Sequence, residues 1–132
     1  MEKEKIKVVC TVSCRNSPKK MLLLDLFKAF AKSEFEFISD HITDDVHWRI
    51  VGKSFIERKN EVLDQLNIAR KGDITHIELF NIITHGNVAA VNGVIKKKSG
   101  DQTEFCHVYT FKSAGKHIIK EMRSYVVEGG SE

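Results

Sequence analysis

The sequence predicts an α+β domain in which a helical first half is followed by a long antiparallel meander. Two observations carry that reading. From Ile74 onward apolar residues recur at every second position through Ile74–His85, Val88–Lys98, Thr103–Lys112 and His117–Glu128, with turn residues at Gly86-Asn87, Ser99-Gly100-Asp101 and Ala114-Gly115. Before Gly72 the spacing is mostly helical, and helices followed by a run of strands form segregated layers. Gly and Asp supply the backbone angles that tight reversals need, so consecutive strands are expected to pair as hairpins.

Each element has its own warrant. Ile6–Cys14 is rich in Val, Cys and Thr and reads as an edge strand or extended arm with no legible pairing partner. Asn16-Ser17-Pro18 starts a helix, because Ser17 can cap free amides and Pro18 takes the first helical position, where its missing N–H costs nothing. Leu22, Leu23, Leu26, Phe27 and Phe30 extend that helix to about Lys32. Ser33-Glu34-Phe35-Glu36 has the form of a capping box opening a short second helix with Phe37, Ile38 and His41, ended by Thr43-Asp44-Asp45. Val46–Val51 alternates as a strand with Val46, Trp48 and Ile50 on one face, and Gly52 closes it. A second capping box, Ser54-Phe55-Ile56-Glu57, predicts a third helix that buries Val62, Leu63, Leu66 and Ala69 and stops at Gly72.

A chain of 132 residues supports one core rather than two, so residues 1–132 are expected to form one domain, with 1–16 as an N-terminal strand or arm and 129–132 as a flexible tail. The longest apolar run, Met21–Leu24, is a single helical turn, far short of the roughly 20 residues that a membrane span needs. The opening Met-Glu-Lys-Glu-Lys has neither a secretory apolar region nor an Arg-rich transit pattern, which makes the cytoplasm the expected location and leaves the membrane out as a partner. A net charge of +3 is spread along the chain and gathers only at Lys96-Lys97-Lys98, read as a solvated turn. Nucleic-acid binders carry a denser basic face interleaved with aromatics, so no nucleic acid is expected.

Cys10, Cys14 and Cys106 are odd in number, which argues against a closed disulfide framework. On one strand Cys10 and Cys14 would sit about 13 Å apart at roughly 3.3 Å per residue, and no spacing supplies further metal ligands. They are expected to be reduced and structural, and no metal or cofactor is expected.

Within Thr103–Lys112 the residues Phe105, His107, Tyr109 and Phe111 share one face while Cys106, Val108 and Thr110 share the other, and neither face is clearly polar. An antiparallel sheet usually leaves one side to water. One face is therefore expected against the helices and the other against a second copy of the chain, making a homodimer.

The order helix, helix, strand, helix, curved meander resembles the nuclear transport factor 2-like proteins, and most of all their SnoaL-like branch. The residues that carry the resemblance are Thr43-Asp44-Asp45-Val46 leading into Trp48 and Gly52, the strand Phe105-Cys106-His107-Val108-Tyr109-Thr110-Phe111, and the closing Glu121-Met122-Arg123-Ser124-Tyr125. The segment Cys14-Arg15-Asn16-Ser17-Pro18-Lys19-Lys20 is also similar to one in uncharacterised bacterial members. The resemblance implies a cone-shaped, curved antiparallel sheet wrapped around three N-terminal helices, a cystatin-like roll, with a conical pocket. Relatives use that pocket for ketosteroid isomerisation, polyketide ring closure, epoxide hydrolysis, dehydration or plain binding, and fold alone does not choose among them.

The pocket positions can be asked directly. The carboxylate that takes the substrate proton in the isomerases falls at or beside Ile50. The polar positions of the epoxide hydrolases fall at Trp48, Ile50, Gly93, Ile95 and Ser124, and the late-strand acid of the cyclases falls near Ser124. None of these side chains is an acid or a base. A shift of one residue would exchange Trp48 and Ile50 for His47 and Arg49, because neighbouring strand residues face opposite ways. His107 falls where the isomerases carry a protonated acid that donates to a developing oxyanion. A histidine there can donate in the same way or act as general acid or base near neutral pH. The plainer reading is a buried histidine hydrogen-bonded to a neighbour.

Trp48 either stacks on a flat ligand or fills the cone, and Phe27, Phe80 and Met122 carry the same pair of readings. Arg123 and Tyr125 face the other way and read as subunit contacts, His85 as a solvent-facing turn residue, and Asp44, Asp45 and Glu57 as helix-end and loop residues. The expected function is binding or turnover of a small, mainly apolar molecule. His107 is the candidate catalytic residue, and Phe27, Trp48, Ile50, Phe80, Tyr109, Met122 and Ser124 are the ligand-binding candidates. Turnover would be isomerisation, cyclisation or dehydration by proton transfer; the alternative is a non-catalytic ligand-binding or dimeric protein-interaction module.

Overall fold

Pro18 starts the first long helix at the expected residue, with Ser17 extended before it and the Ser17 carbonyl accepting the Met21 N–H at 3.0 Å. The computed structural model describes residues 5–11 and 17–129. Cys14 and Asn16 and the tail beyond Gly129 lie outside the described residues. The order of elements is β1 (Lys7–Cys10), α1 (Pro18–Ala31), α2 (Phe35–Ser39), β2 (Ile42–Ile50), β3 (Ser54–Glu57), α3 (Lys59–Arg70), β4 (Ile74–His85), β5 (Val88–Lys97), β6 (Gln102–Ser113) and β7 (Lys116–Gly129). The seven strands form one curved, unclosed sheet in the order β1-β4-β5-β6-β7-β2-β3.

The sheet is mixed rather than antiparallel throughout. The meander β4 to β7 is antiparallel as expected, but β2 runs parallel to β7 and β1 runs parallel to β4. Both parallel pairs join distant parts of the chain through long connections that contain helices and other strands, since parallel strands cannot be joined by a tight turn. The pairing also supplies the partner that Ile6–Cys14 lacked, since Lys7–Cys10 covers part of the outer edge of β4.

The two capping boxes do not form. Ser33 adopts φ 60°, and the amides of Ser33 and Glu34 reach back to the carbonyls of Phe30 and Ala29. That is the Schellman closure of α1 with Ser in the place usually taken by Gly, so Ser33 ends one helix rather than starting the next. Ser54–Glu57 is a strand, β3, not the start of α3. Gly52 at φ 80° reverses the chain, β3 pairs back on β2, and Phe55 packs across the ring of His47 and under the guanidinium of Arg49. Cross-strand pairing outweighs a cap that would be worth about 1 kcal/mol. Asp44 and Asp45, expected in a loop, are exposed residues within β2, and Glu57 is the last residue of β3.

Register shifts bend the sheet. Between Leu79 and Asn81 the register of β4 shifts, leaving Phe80 as an extra residue, and further shifts fall between Ile74 and His76 of the same strand, between Ile42 and His47 where β2 meets β7, and around Phe111 where β6 meets β7. Such bulges increase local twist and kink the strand. Gly93 answers the first bulge from β5: a Cβ there would overlap the Glu78 carbonyl, so only Gly lets the two backbones approach.

The concave face carries the core. Leu23, Val46, Val62, Leu79, Val91 and Phe111 are fully buried, drawn from both long helices and from four of the strands. At one end Lys19 of α1 lies over the Phe111 ring and donates to the carbonyls of Gly86 and Ala114 at 2.6 and 2.8 Å, tying the turns of two hairpins to the first helix. Among the described residues no helix is long and apolar enough to cross a membrane.

Candidate functional site

The concave face does not fill completely. Between α1, α3 and the sheet lies a cavity of about 240 Å³ whose wall is almost wholly aliphatic and aromatic. No carboxylate, lysine or arginine among the described residues lines it; the polar side chains in its wall are Trp48, Thr103, His107, Tyr109 and Ser124.

Strand register brings three of these together. His107 of β6 stands opposite Ser124 of β7, and Ser124 stands beside Ile50 of the parallel strand β2, one step past the Trp48–Met122 pair. Trp48 Nε1–H donates to Ser124 Oγ at 2.7 Å, and Ser124 Oγ is 2.7 Å from His107 Nδ1. Ser124 itself is 1% exposed. Rings enclose the imidazole: Phe105 stacks on it at 4.6 Å, Phe27 of α1 lies nearly parallel at 6.1 Å, and Tyr109 meets it edge-on at 6.1 Å.

Burial sets the protonation of both titratable groups. Loss of hydration pushes the His107 pKa down to about 4, so the ring is neutral at pH 7. The same desolvation, with the Cys106 thiol adding to it, raises Tyr109 above its ordinary range and keeps it a phenol. The cavity thus offers a neutral imidazole and a neutral hydroxyl in an apolar wall. Among the described residues no group of three His, Cys, Asp or Glu side chains is placed to hold a metal ion.

No protein-family model and no curated protein matches the sequence. Solved structures do. A protein from Burkholderia xenovorans, described as NTF-2 like and of unknown function, superposes with a TM-score of 0.73 at 16% identity over 91% of each chain. SalBIII, an epoxide hydrolase/cyclase-like enzyme in pyran ring formation in the polyether salinomycin, gives 0.70 at 18% identity over 87% of this chain and 95% of its own. An NTF2-like protein of unknown function from Cytophaga hutchinsonii gives 0.64 at 21% identity over 83% and 99%. The chain has the nuclear transport factor 2-like fold.

Within that nuclear transport factor 2-like frame, the residues singled out from sequence divide cleanly. Phe27, Trp48, His107, Tyr109, Met122 and Ser124 line the cavity. Trp48 faces inward and Arg49 outward over Phe55, so the strand is in the first of its two possible registers. Ile50 and Phe80 do not line the cavity, and both placements are corrected. Ile50 is the last residue of β2, where the chain already turns towards β3. Phe80 is the bulged residue of β4 and is 40% exposed: the shift between Ile74 and His76 moves the inward phase onto Ile77 and Leu79, so Phe80, next to Leu79, faces outward.

Ile95, one of the mapped pocket positions, lines the cavity although it was not among the ligand-binding candidates, and sequence reasoning missed Thr103 and Val126, which also line it. The signal was present: Thr103 continues the period of Phe105 and His107, and Val126 that of Met122 and Ser124. Ile95 pairs with Thr103 across β5 and β6.

Proposed function

We propose that the chain binds a small, mainly apolar molecule in the cavity, with His107 as its polar contact. The observation that carries this reading is an apolar space of about 240 Å³ with a neutral imidazole and, among the described residues, no carboxylate, lysine or arginine beside it. A dry apolar cavity of about 150 Å³ is enough to take up benzene, so this one suits a two-ring molecule. A neutral imidazole can polarise a carbonyl by donating to it. Abstraction of a proton from carbon needs a positioned base as well, and no carboxylate among the described residues faces the space. That favours binding over isomerisation, cyclisation or dehydration.

Indane, a hydrocarbon of two fused rings, tests the reading. Titration should shift the NMR signals of the Trp48 indole and the Met122 methyl in a saturable way, while the Met21 methyl, 50% exposed outside the cavity, stays still. Unchanged spectra at saturating indane would remove the proposal.

We also propose that two copies pair through the outer face of the sheet. Ala90 and Val108 form a rung at its centre, Cys106 and Tyr125 form the next, and the surrounding Ile83, Tyr125 and Val127 are 62%, 44% and 68% exposed. Exposed apolar patches on a sheet favour association. Sedimentation equilibrium should find a dimer that Tyr125→Glu converts to monomer; a wild-type protein that stays monomeric at high concentration rules the pairing out.

A further inference from the structure

We infer that Trp48 and Ser124 are positioning residues that hold His107 with its proton on Nε2, so that the cavity selects neutral molecules carrying a hydrogen-bond acceptor. This rests on the cavity being a binding site and names the class of molecule it takes.

The direction of the hydrogen bonds follows from what each group is able to do. An indole N–H only donates, so Ser124 Oγ must accept from Trp48. The hydroxyl proton of Ser124 then needs an acceptor, and Ser124 Oγ makes one further hydrogen bond, to His107 Nδ1. Were Nδ1 to carry the proton instead, Oγ would receive two donors and its own proton would be left without a partner in a site that is 1% exposed. An orphaned buried donor is costly, so Nδ1 accepts and Nε2 carries the hydrogen. Nε2 makes no hydrogen bond among the described residues, and the ring lines the cavity. The three groups sit on paired strands, which keeps the relay in place without a ligand.

A ligand in this cavity meets a fixed donor in a wall to which no described residue contributes a cation. A ketone, aldehyde or ester satisfies it. A carboxylate would satisfy it too, but would be buried without a counter-charge, which is strongly unfavourable. A hydrocarbon leaves the donor unpaired.

The matched probes are indane and 1-indanone, which share their ring frame and differ by one carbonyl. Wild-type protein should bind the ketone about tenfold more tightly than the hydrocarbon, the worth of one hydrogen bond. Ser124→Ala should bring the ratio of the two affinities close to one, and Ser124→Thr should restore it. Long-range 1H–15N correlations on wild-type protein at pH 7 should show His107 protonated at Nε2 and bare at Nδ1, a readout that does not depend on any variant folding.

Each contrary outcome is distinct. Binding of neither probe overturns the cavity as a binding site and the selection with it. Equal binding of both overturns the selection alone. Protonation at Nδ1 overturns the relay. A preference that survives Ser124→Ala and disappears in Tyr109→Phe assigns the donor to the Tyr109 hydroxyl and overturns the role given to Trp48 and Ser124.

Discussion

Lowering the pH from neutrality to about 4 is expected to cost the native state roughly 3 kcal/mol through His107 alone. The sign follows from the two pKa values. Above the ordinary histidine value of 6.5 the ring is neutral both folded and unfolded, and the contribution to stability is complete. Between 6.5 and about 4 the unfolded chain takes up a proton that the buried ring refuses, so stability falls with each step of acidification. Below about 4 the folded ring is protonated as well and the loss levels off. Urea unfolding at a series of pH values should show this slope in wild-type protein. His107→Gln should flatten it, because Gln still offers Ser124 an acceptor and does not titrate. The carboxylates are common to both proteins and cancel in the difference. Parallel profiles for the two proteins would refute the assignment.

The second large effect lies at the other end of the same strand. Phe111 is fully buried on the concave face of β6, beneath the Lys19 ammonium at 4.9 Å. Phe111→Ala removes the ring from a packed wall and leaves Lys19 without the surface it lies on, and is expected to cost about 3–5 kcal/mol. A domain of this size holds about 5–15 kcal/mol in total, so thermal unfolding should move down by about 10 °C or more. Phe111 is not in the cavity wall, and folded variant should still take up indane as the wild type does. An unchanged melting temperature would contradict the packing described at this end of the sheet.

How much of this was readable beforehand depends on how local the signal is. Pro18 placed the start of α1, and Ile74–His85 was read as a strand with the bounds it has, because each is written in consecutive residues. The same kind of local pattern misled at Ser33 and Ser54. Ser-x-x-Glu fits a helix cap in isolation, yet Ser33 closes the preceding helix and Ser54 joins a hairpin made possible by Gly52. Phe80 shows the limit from another side: alternation counted from Ile74 puts it inward, but a register shift between Ile74 and His76 moves the phase onto Ile77 and Leu79, and nothing in Ile74-Thr75-His76 announces it.

The order of residues settled which side chains share a face, since a period of two or of 3.6 needs no partner to be visible. His107 was thus set on the inner side of its strand beside Phe105 and Tyr109. Which groups meet there was decided by tertiary structure. Trp48 and Ser124 are 76 residues apart, and Ser124 and His107 are 17 apart. They touch because β2 pairs in parallel with β7, which follows it only after β3, α3 and most of the meander, a pairing specified by how the core closes rather than by any short stretch of sequence. The same closure encloses the hollow and strips water from the imidazole, and that loss of hydration is what turns a histidine that would titrate near neutrality into a fixed neutral donor.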